Sequence, residues 1–161
     1  RGDRLICISL TGPGQFAGLP SVFGSNEYKY SASAIESTEA LMIRREALEE
    51  IIKSNGSFAS ELFKIISNEV LIVSEKLVNF SMKQLPGRVA DLIKYFSEDV
   101  FQSIDFTVPL TRQELAELIG TTKESLIRTL NEFKHDRIID LEGRRIKVLS
   151  PELITMLSNL G

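Results

Sequence analysis

The sequence predicts an α+β protein, because β-prone runs, a long helical stripe and a late hairpin pattern follow one another along its 161 residues. Short apolar or alternating runs near the start are typical of half-buried strands. The middle repeats apolar residues at helical spacing, and the last third combines two short amphipathic segments with two β-prone runs. We therefore expect a strand-rich first part, a long central helix, and a helix pair with a hairpin at the end.

Composition narrows the class of protein. With 43% hydrophobic and 25% charged residues, the chain can bury a core in one or two domains, and it lacks a run of about 18 apolar residues that would span a membrane. Its single cysteine, Cys7, excludes an internal disulfide framework, and its only histidine, His135, has no evident nucleophile to activate. We expect a cytoplasmic protein that is not an enzyme and uses no cofactor or metal.

The start of the chain carries three runs that are typical of β-strands, at residues 5–10, 31–36 and 40–44. A turn at Ser37-Thr38 separates the last two runs. Because the strand pattern begins almost at Arg1, we expect the first strands of the sheet to precede it, so that the sheet is either incomplete or completed by upstream residues.

A long amphipathic helix is predicted over residues 57–82, with Ser57 as its cap. One apolar stripe follows spacings of three and four residues through Leu62, Ile66, Val70, Val73, Leu77 and Phe80. The stripe could pack on its own chain as an ordinary core helix, or on a second copy. Since Ile65 and Ile72 on the other side can serve the chain's own core, we expect a homodimer through the stripe. Pro86-Gly87 then marks a domain boundary and candidate hinge.

Residues 110–133 predict two short helices joined by a tight turn. Thr111 and Glu114 form a capping box that opens the first helix. Gly120 can take the positive φ that ends this helix, and either Thr121 or Thr122 caps the second.

The second helix of this pair presents a polar outward face formed by Lys123, Glu124, Ile127, Arg128 and Asn131. A guanidinium can bind guanine O6 and N7, and a carboxylate can accept from cytosine N4, so this face suits base reading in the major groove. The alternative is an ordinary surface helix in which Glu124 and Arg128 form an i,i+4 ion pair.

Two β-prone runs, residues 138–141 and 144–149, flank Glu142-Gly143 and predict a hairpin after the helix pair. A helix pair followed by a hairpin is a winged helix-turn-helix, which favours the DNA-reading interpretation. The wing carries basic side chains suited to phosphate contact, namely Arg144, Arg145 and Lys147.

Residues 111–130, TRQELAELIGTTKESLIRTL, resemble the DNA-binding motif of the Crp/Fnr family of bacterial transcription regulators. The resemblance rests on the Thr-Arg-Gln-Glu opening and the Glu-x-x-x-Arg pair, and it extends upstream through Gly87-Arg88-Val89-Ala90 to a partial ligand-domain signature. It implies three segments: part of a cyclic-nucleotide-binding-like β-roll over 1–56, a dimerisation helix over 57–82 and a winged helix-turn-helix over 83–161.

The resemblance also implies roles for individual side chains. Base readers would be Glu124 and Arg128, and Lys123 could contact a base or a phosphate. Lys123 replaces the arginine that is common in the family and so loses a bidentate guanine contact. Ile127 could touch a thymine methyl or only exclude water. Phosphate contacts would be Thr111, Gln113, Thr122, Arg144, Arg145 and Lys147. The expected function is sequence-specific binding of a two-fold symmetric DNA operator by a homodimer that responds to an effector and contacts RNA polymerase.

A rival interpretation is a ligand-sensing adaptor whose winged helix binds protein. Against it, a protein-binding helix would more often carry aromatic anchors than exposed Lys123, Glu124 and Arg128.

The effector segment departs from the family pattern. Cyclic-AMP binders of the family carry a glutamate after a glycine and an Arg-Ser pair that binds the cyclic phosphate, whereas here Leu19 and Tyr30-Ser31 take those positions. Loss of a bidentate arginine removes the main phosphate contact, so we do not expect cyclic AMP as effector. The residues of the expected pocket are Gly18, Leu19, Lys29, Tyr30 and Ser31.

Charge is unevenly distributed along the chain. The net charge is −3, yet residues 111–161 hold eight basic and eight acidic side chains, so the acidic excess lies upstream. Residues 123–147 hold seven basic and five acidic side chains. Dimerisation would double this modest local excess, which predicts DNA binding of moderate salt sensitivity.

Overall fold

The structure is a computed structural model that describes residues 5–24 and 27–160. Residues 1–4, Gly161, and residues 25–26 of the predicted effector segment lie outside the described residues. The chain forms two compact units: one consists of residues 10–75, and the other joins the segment before residue 10 to residues 76–160.

The unit of residues 10–75 is built from helices. They are α1 (Leu19–Gly24), α2 (Arg45–Ser54) and the first part of α3 (Gly56–Met82). Asn55, not Ser57, caps α3, because its side-chain oxygen accepts from the Phe58 backbone N–H at 3.0 Å. The core consists of Leu19, Leu48 and Leu62, with Phe16, Val22, Ile52, Phe58 and Ile66 packed against it.

The strands expected near the start of the chain do not form. Residues 5–10, 31–36 and 40–44 carry no β-strand, and Leu41 and Met42 are 94% and 95% exposed. A strand is stable only when a neighbour takes up its backbone hydrogen bonds, and none of the described segments pairs with these three. The partial β-roll is therefore absent from the described residues, whereas the α+β class is confirmed by a sheet later in the chain.

The stripe predicted for a dimer does not form one continuous exposed face. Leu62 is 4% exposed because it lies in the core of its own chain, and Ile66 packs against that core. Val70 and Leu77 are 57% and 65% exposed. Leu62 is thus committed to an intrachain contact, while the middle of α3 keeps apolar side chains in solvent.

The second unit continues from the end of α3 into an α+β arrangement. Its elements are α4 (Leu85–Tyr95), a π-helical turn (Phe96–Val100), β1 (Asp105–Thr107), α5 (Arg112–Leu118), α6 (Lys123–His135), β2 (Ile139–Glu142), β3 (Arg145–Val148) and α7 (Pro151–Leu160). The three strands form an antiparallel sheet in the order β1-β3-β2. Gly143, with φ of 57°, makes the tight connection between β2 and β3.

The core of this unit joins its helices to one face of the sheet. Buried side chains come from the helices and from the sheet, and those almost completely shielded from solvent include Val89, Ile93, Val108, Leu115, Leu126, Leu130 and Ile139. Pro86 lies in the first turn of α4, where its missing N–H is not needed, so it is well placed at the start of this helix.

A polar network ties the link between α3 and α4 to the last helix. Lys83 Nζ donates to both carboxylate oxygens of Asp91, at 2.8 and 2.7 Å, and to the Ser158 backbone oxygen at 2.7 Å. Ser158 Oγ donates to Asp91 Oδ1 at 2.6 Å. Partial burial of the network strengthens these charge-assisted bonds, so they fix α7 against α4.

Within the described part of the chain, every helix falls short of the length and apolar character needed to cross a membrane.

Candidate nucleic-acid interface

The first helix of the motif, α5, opens with a complete capping box. Thr111 Oγ1 accepts from the Glu114 backbone N–H at 3.2 Å, and Glu114 Oε2 accepts from the Thr111 backbone N–H at 2.6 Å. These hydrogen bonds from Thr111 lower the pKa of the Glu114 carboxyl. Since the Thr111 hydroxyl also donates to Glu114, most of its bonding capacity serves the helix end.

The turn between α5 and α6 takes the conformation that the sequence predicts. Gly120 has φ of 65°, and the Thr121 backbone N–H donates to the Ala116 oxygen at 2.9 Å to close the end of α5. Of the two candidate caps, Thr122 is the one used, because its Oγ1 accepts from the Ser125 backbone N–H at 3.2 Å. The turn therefore fixes the direction in which α6 leaves α5.

Helix α6 separates an apolar inner face from a polar outer one. Its buried side chains are Leu126, Thr129, Leu130 and Phe133. The predicted outer residues Lys123, Glu124, Arg128 and Asn131 are all exposed, and Ile127 is partly buried. A surface depression runs along this face, lined by Glu124, Ile127, Arg128, Asn131, Glu132, His135 and Asp136.

Glu124 and Arg128 do not form the ion pair that an ordinary surface helix would allow. Among residues 5–24 and 27–160, neither side chain makes a hydrogen bond or an ion pair within 4.0 Å. Their donors and acceptors are consequently free to meet base edges. This arrangement favours the base-reading interpretation over the intrahelical pair.

The wing arginines, in contrast, are engaged within the protein. Arg145 binds Asp105 through two hydrogen bonds, Nε to Oδ1 at 2.7 Å and Nη2 to Oδ2 at 2.6 Å, and lies 3.7 Å from Glu142. The guanidinium lowers the pKa of the Asp105 carboxyl, mainly through these hydrogen bonds. Arg144 Nη1 donates to the Pro109 oxygen at 2.9 Å.

Arg112 also contributes to the wing, a role that the sequence did not reveal. Its Nη2 donates to the Gly143 backbone oxygen at 2.5 Å, so α5 and the wing turn are joined directly. Partial burial lowers the pKa of the Arg112 guanidinium. No local pattern predicts this contact, because it links residues 31 positions apart.

Lys147 occupies a different position on the wing. It is exposed on β3, and its register partners are Asp105 on β1 and Asp140 on β2. No ion pair or hydrogen bond involving its amino group occurs among the described residues. The same face carries acidic Asp105, Asp140 and Glu142 beside basic Arg145 and Lys147, so the sheet surface of the wing has no net positive charge.

The remaining predicted phosphate contacts also have internal partners. Gln113 Nε2 donates to Glu117 Oε1 at 2.8 Å, and the Thr122 hydroxyl donates to Ser125 Oγ at 3.0 Å. Both side chains stand near helix N-termini, where backbone N–H groups can add to phosphate binding.

The predicted effector residues differ in their exposure to solvent. Leu19 is 2% exposed in the core, whereas Lys29 and Tyr30 are exposed. Lys29 Nζ pairs with Glu27 at 3.0 Å, which already provides its counter-charge. Leu19 therefore faces the protein interior and not a ligand.

Known proteins share this arrangement. Residues 87–155 match the Crp-like helix-turn-helix domain. The chain is 26% identical over 149 residues to the CRP-like cAMP-activated global transcriptional regulator of Mycobacterium tuberculosis, covering 90% of this chain and 66% of that protein. It is 26% identical over 141 residues to the transcriptional activator FnrA of Stutzerimonas stutzeri, covering 85% and 57%. Residues 87–155 thus match a Crp-like helix-turn-helix domain, and the chain is similar over most of its length to regulators of the Crp/Fnr type.

A solved Crp/Fnr-family structure extends the likeness of fold. The transcriptional regulator TTHB099 of Thermus thermophilus aligns with a TM-score of 0.70 at 19% identity, covering 97% of this chain and 78% of that one. By contrast, the chain spans less than two thirds of the length of the two curated Crp/Fnr relatives. These matches show a Crp-like helix-turn-helix domain over residues 87–155 and a fold shared with the Thermus thermophilus protein.

Proposed function

We propose that this chain acts as a sequence-specific DNA-binding transcription regulator that binds a two-fold symmetric operator as a homodimer. The observation that carries the proposal is the exposed face of α6, where Glu124 and Arg128 stand one turn apart and unpaired within the described residues. Arg128 would bind guanine O6 and N7, and Glu124 would accept from cytosine N4. Lys123 supplies a flexible point charge at the start of the helix, suited to a base or a phosphate.

The phosphate contacts of the proposed complex are few. Lys147 is a wing cation without an ion pair among the described residues, while Arg144 and Arg145 must exchange or share their internal partners to reach a phosphate. Backbone N–H groups at the starts of α5 and α6 add contacts without net charge. In the proposed complex the wing and helix ends orient the protein on DNA, and α6 discriminates between sequences.

The proposed dimer uses a face of α3 that differs in part from the predicted stripe. Phe63, Val70 and Leu77 recur every seven residues and are exposed, as are Leu71 and Val78 beside them. Small serines, Ser67 and Ser74, lie between them on the same side and allow a second helix to approach closely. Large exposed apolar side chains on a long helix are typical of a protein–protein contact.

The effector of this regulator is proposed to be something other than cyclic AMP. The Mycobacterium tuberculosis relative is described as cAMP-activated, but here Leu19 lies in the core and Tyr30 stands where a phosphate-binding arginine would be expected. Titration calorimetry with cyclic AMP tests this point. We expect no saturable heat, and tight saturable binding would contradict the proposal.

Selection of bound fragments from genomic DNA tests the function directly. We expect enrichment of a two-fold symmetric site whose half-sites contain a G·C pair at a fixed position, the pair that Arg128 and Glu124 can read. Recovery of fragments without a shared sequence, or of no fragments, would contradict sequence-specific binding and favour the adaptor interpretation.

A further inference from the structure

The end of α3 rests directly on the turn of the helix-turn-helix. The Phe80 ring lies so close to Gly120 that a Cβ added there would stand 3.1 Å from two of its ring carbons. Since Gly120 also has a positive φ, this residue is restricted twice: by backbone conformation and by the ring packed on it.

Two cations hold the Phe80 ring in place. Lys76 Nζ lies 5.9 Å and the Arg88 guanidinium carbon 5.7 Å from the ring centroid, distances at which cation–π attraction contributes. Arg88 Nη1 also donates to the Phe80 backbone oxygen at 3.3 Å. Phe80 is thus contacted by one cation from α3 and one from α4.

A second contact reaches the same motif from the start of the chain. The Cys7 backbone N–H donates at 3.1 Å to the oxygen of Glu117, in the last turn of α5. Lys76 Nζ donates to the Cys7 oxygen at 2.6 Å, and burial lowers the pKa of this amine. Lys76 therefore joins the extended segment at Cys7 to the helix that carries Phe80.

We propose that Phe80 is a positioning residue that transmits the placement of α3 to the reading helix through the Gly120 turn. The proposal rests on the proposed DNA-binding function. Because Gly120 has no side chain to yield, displacement of the ring moves the turn backbone itself, and with it the Thr122 cap that begins α6. Phe80 does not touch DNA in this account; it sets the angle at which α6 meets the groove.

The test compares Phe80→Ala with Met82→Ala, which removes a 77% exposed apolar side chain two residues further along the same helix. The first readout is hydrogen exchange of the Thr121 amide, whose bond to Ala116 closes the turn. The second is affinity for a selected operator and for unrelated DNA of equal length. We expect Phe80→Ala to speed Thr121 exchange and weaken operator binding about tenfold each, a typical coupling, and to leave unrelated DNA unaffected.

Met82→Ala should change neither readout, and Phe80→Leu, which keeps much of the apolar volume, should lie between wild type and Phe80→Ala. Should Phe80→Ala fail to fold, Phe80→Leu carries the same comparison. Equal Thr121 exchange in the Phe80 and Met82 variants would overturn the proposal, as would equal losses for operator and unrelated DNA. If wild type binds no DNA, the proposed function fails, and Thr121 exchange alone decides whether Phe80 positions the turn.

Discussion

The reading helix and the wing carry similar side chains but use them differently. On α6, Glu124 and Arg128 are exposed and unpaired among the described residues, whereas on the wing Arg145 binds Asp105 and Arg144 binds the Pro109 oxygen. A guanidinium already held by a carboxylate must exchange or share that contact when it binds another anion. A basic residue of the helix-turn-helix or wing is therefore a stronger candidate for a DNA contact where it has no internal partner.

A dimer would bring two reading helices and two wings to one operator. Loss of the dimer should therefore have the largest effect on DNA affinity. Val70→Glu combined with Leu77→Glu places charges on the exposed face of α3 and should yield monomers. Operator affinity should then fall by about 100-fold or more, because the second half-site no longer adds its contacts. Sedimentation at micromolar concentration and binding titration measure the two effects.

Ile72→Glu is the matched control for this dimer test. Ile72 is also exposed on α3 but points about 200° away from Val70, given 3.6 residues per turn. It should leave the dimer intact. A wild-type monomer at micromolar concentration would contradict the proposed interface.

Removing the partner of Arg145 should leave its guanidinium available to a phosphate, as the guanidinium of Arg128 is available on α6. Asp105→Asn removes the carboxylate that binds Arg145 and that neighbours Lys147 in the sheet. We expect tighter DNA binding with a salt slope steeper by about one and an unchanged base preference. Folding stability should change little, because an exposed ion pair contributes roughly 0–1 kcal/mol.

Glu142→Gln removes an equal charge from the wing and serves as control for Asp105→Asn. Its carboxylate lies farther from Arg145, at 3.7 Å, so the effect should be smaller. Similar salt slopes for both variants would show that general charge, not release of Arg145, controls phosphate binding by the wing.

Lys147→Ala should have the smallest effect and should act alike on all sequences. Its amino group can reach a phosphate or solvent but stands between two aspartates in the sheet register. We expect the salt slope to fall by about one for each phosphate contact removed, with base preference retained. Titrations at several salt concentrations measure this slope, and an altered base preference would assign Lys147 to base reading instead.

The sequence predicted the helix-turn-helix well because its signals are local. The capping box of Thr111 and Glu114, the positive φ of Gly120 and the outward face of α6 all follow from spacings of a few residues. Long-range pairing was less accessible: the β1–β3 ladder that brings Asp105 to Arg145 joins segments 40 residues apart. The strands predicted at residues 5–10, 31–36 and 40–44 do not form for a similar reason, since strand propensity cannot show whether a pairing partner is present.

Leu62 on α3 shows the same limit of prediction from sequence, because it was expected at a dimer interface but lies in the core of its own chain. Its spacing fits the predicted stripe, but a helix stripe does not reveal which of its turns the chain's own core covers. Leu19 and Leu48 cover Leu62, and both come from segments that the sequence placed in a strand-rich domain.

A thermodynamic cycle between Arg128 and its base pair tests the central claim most directly. Wild type and Arg128→Ala are titrated against the selected operator and against one with the G·C pair in each half-site replaced. We expect Arg128→Ala to cost about 1–3 kcal/mol of binding free energy per half-site on the matched operator and almost nothing on the substituted one. An equal loss on both operators would identify Arg128 as a phosphate contact and contradict the assignment of α6 as the base reader.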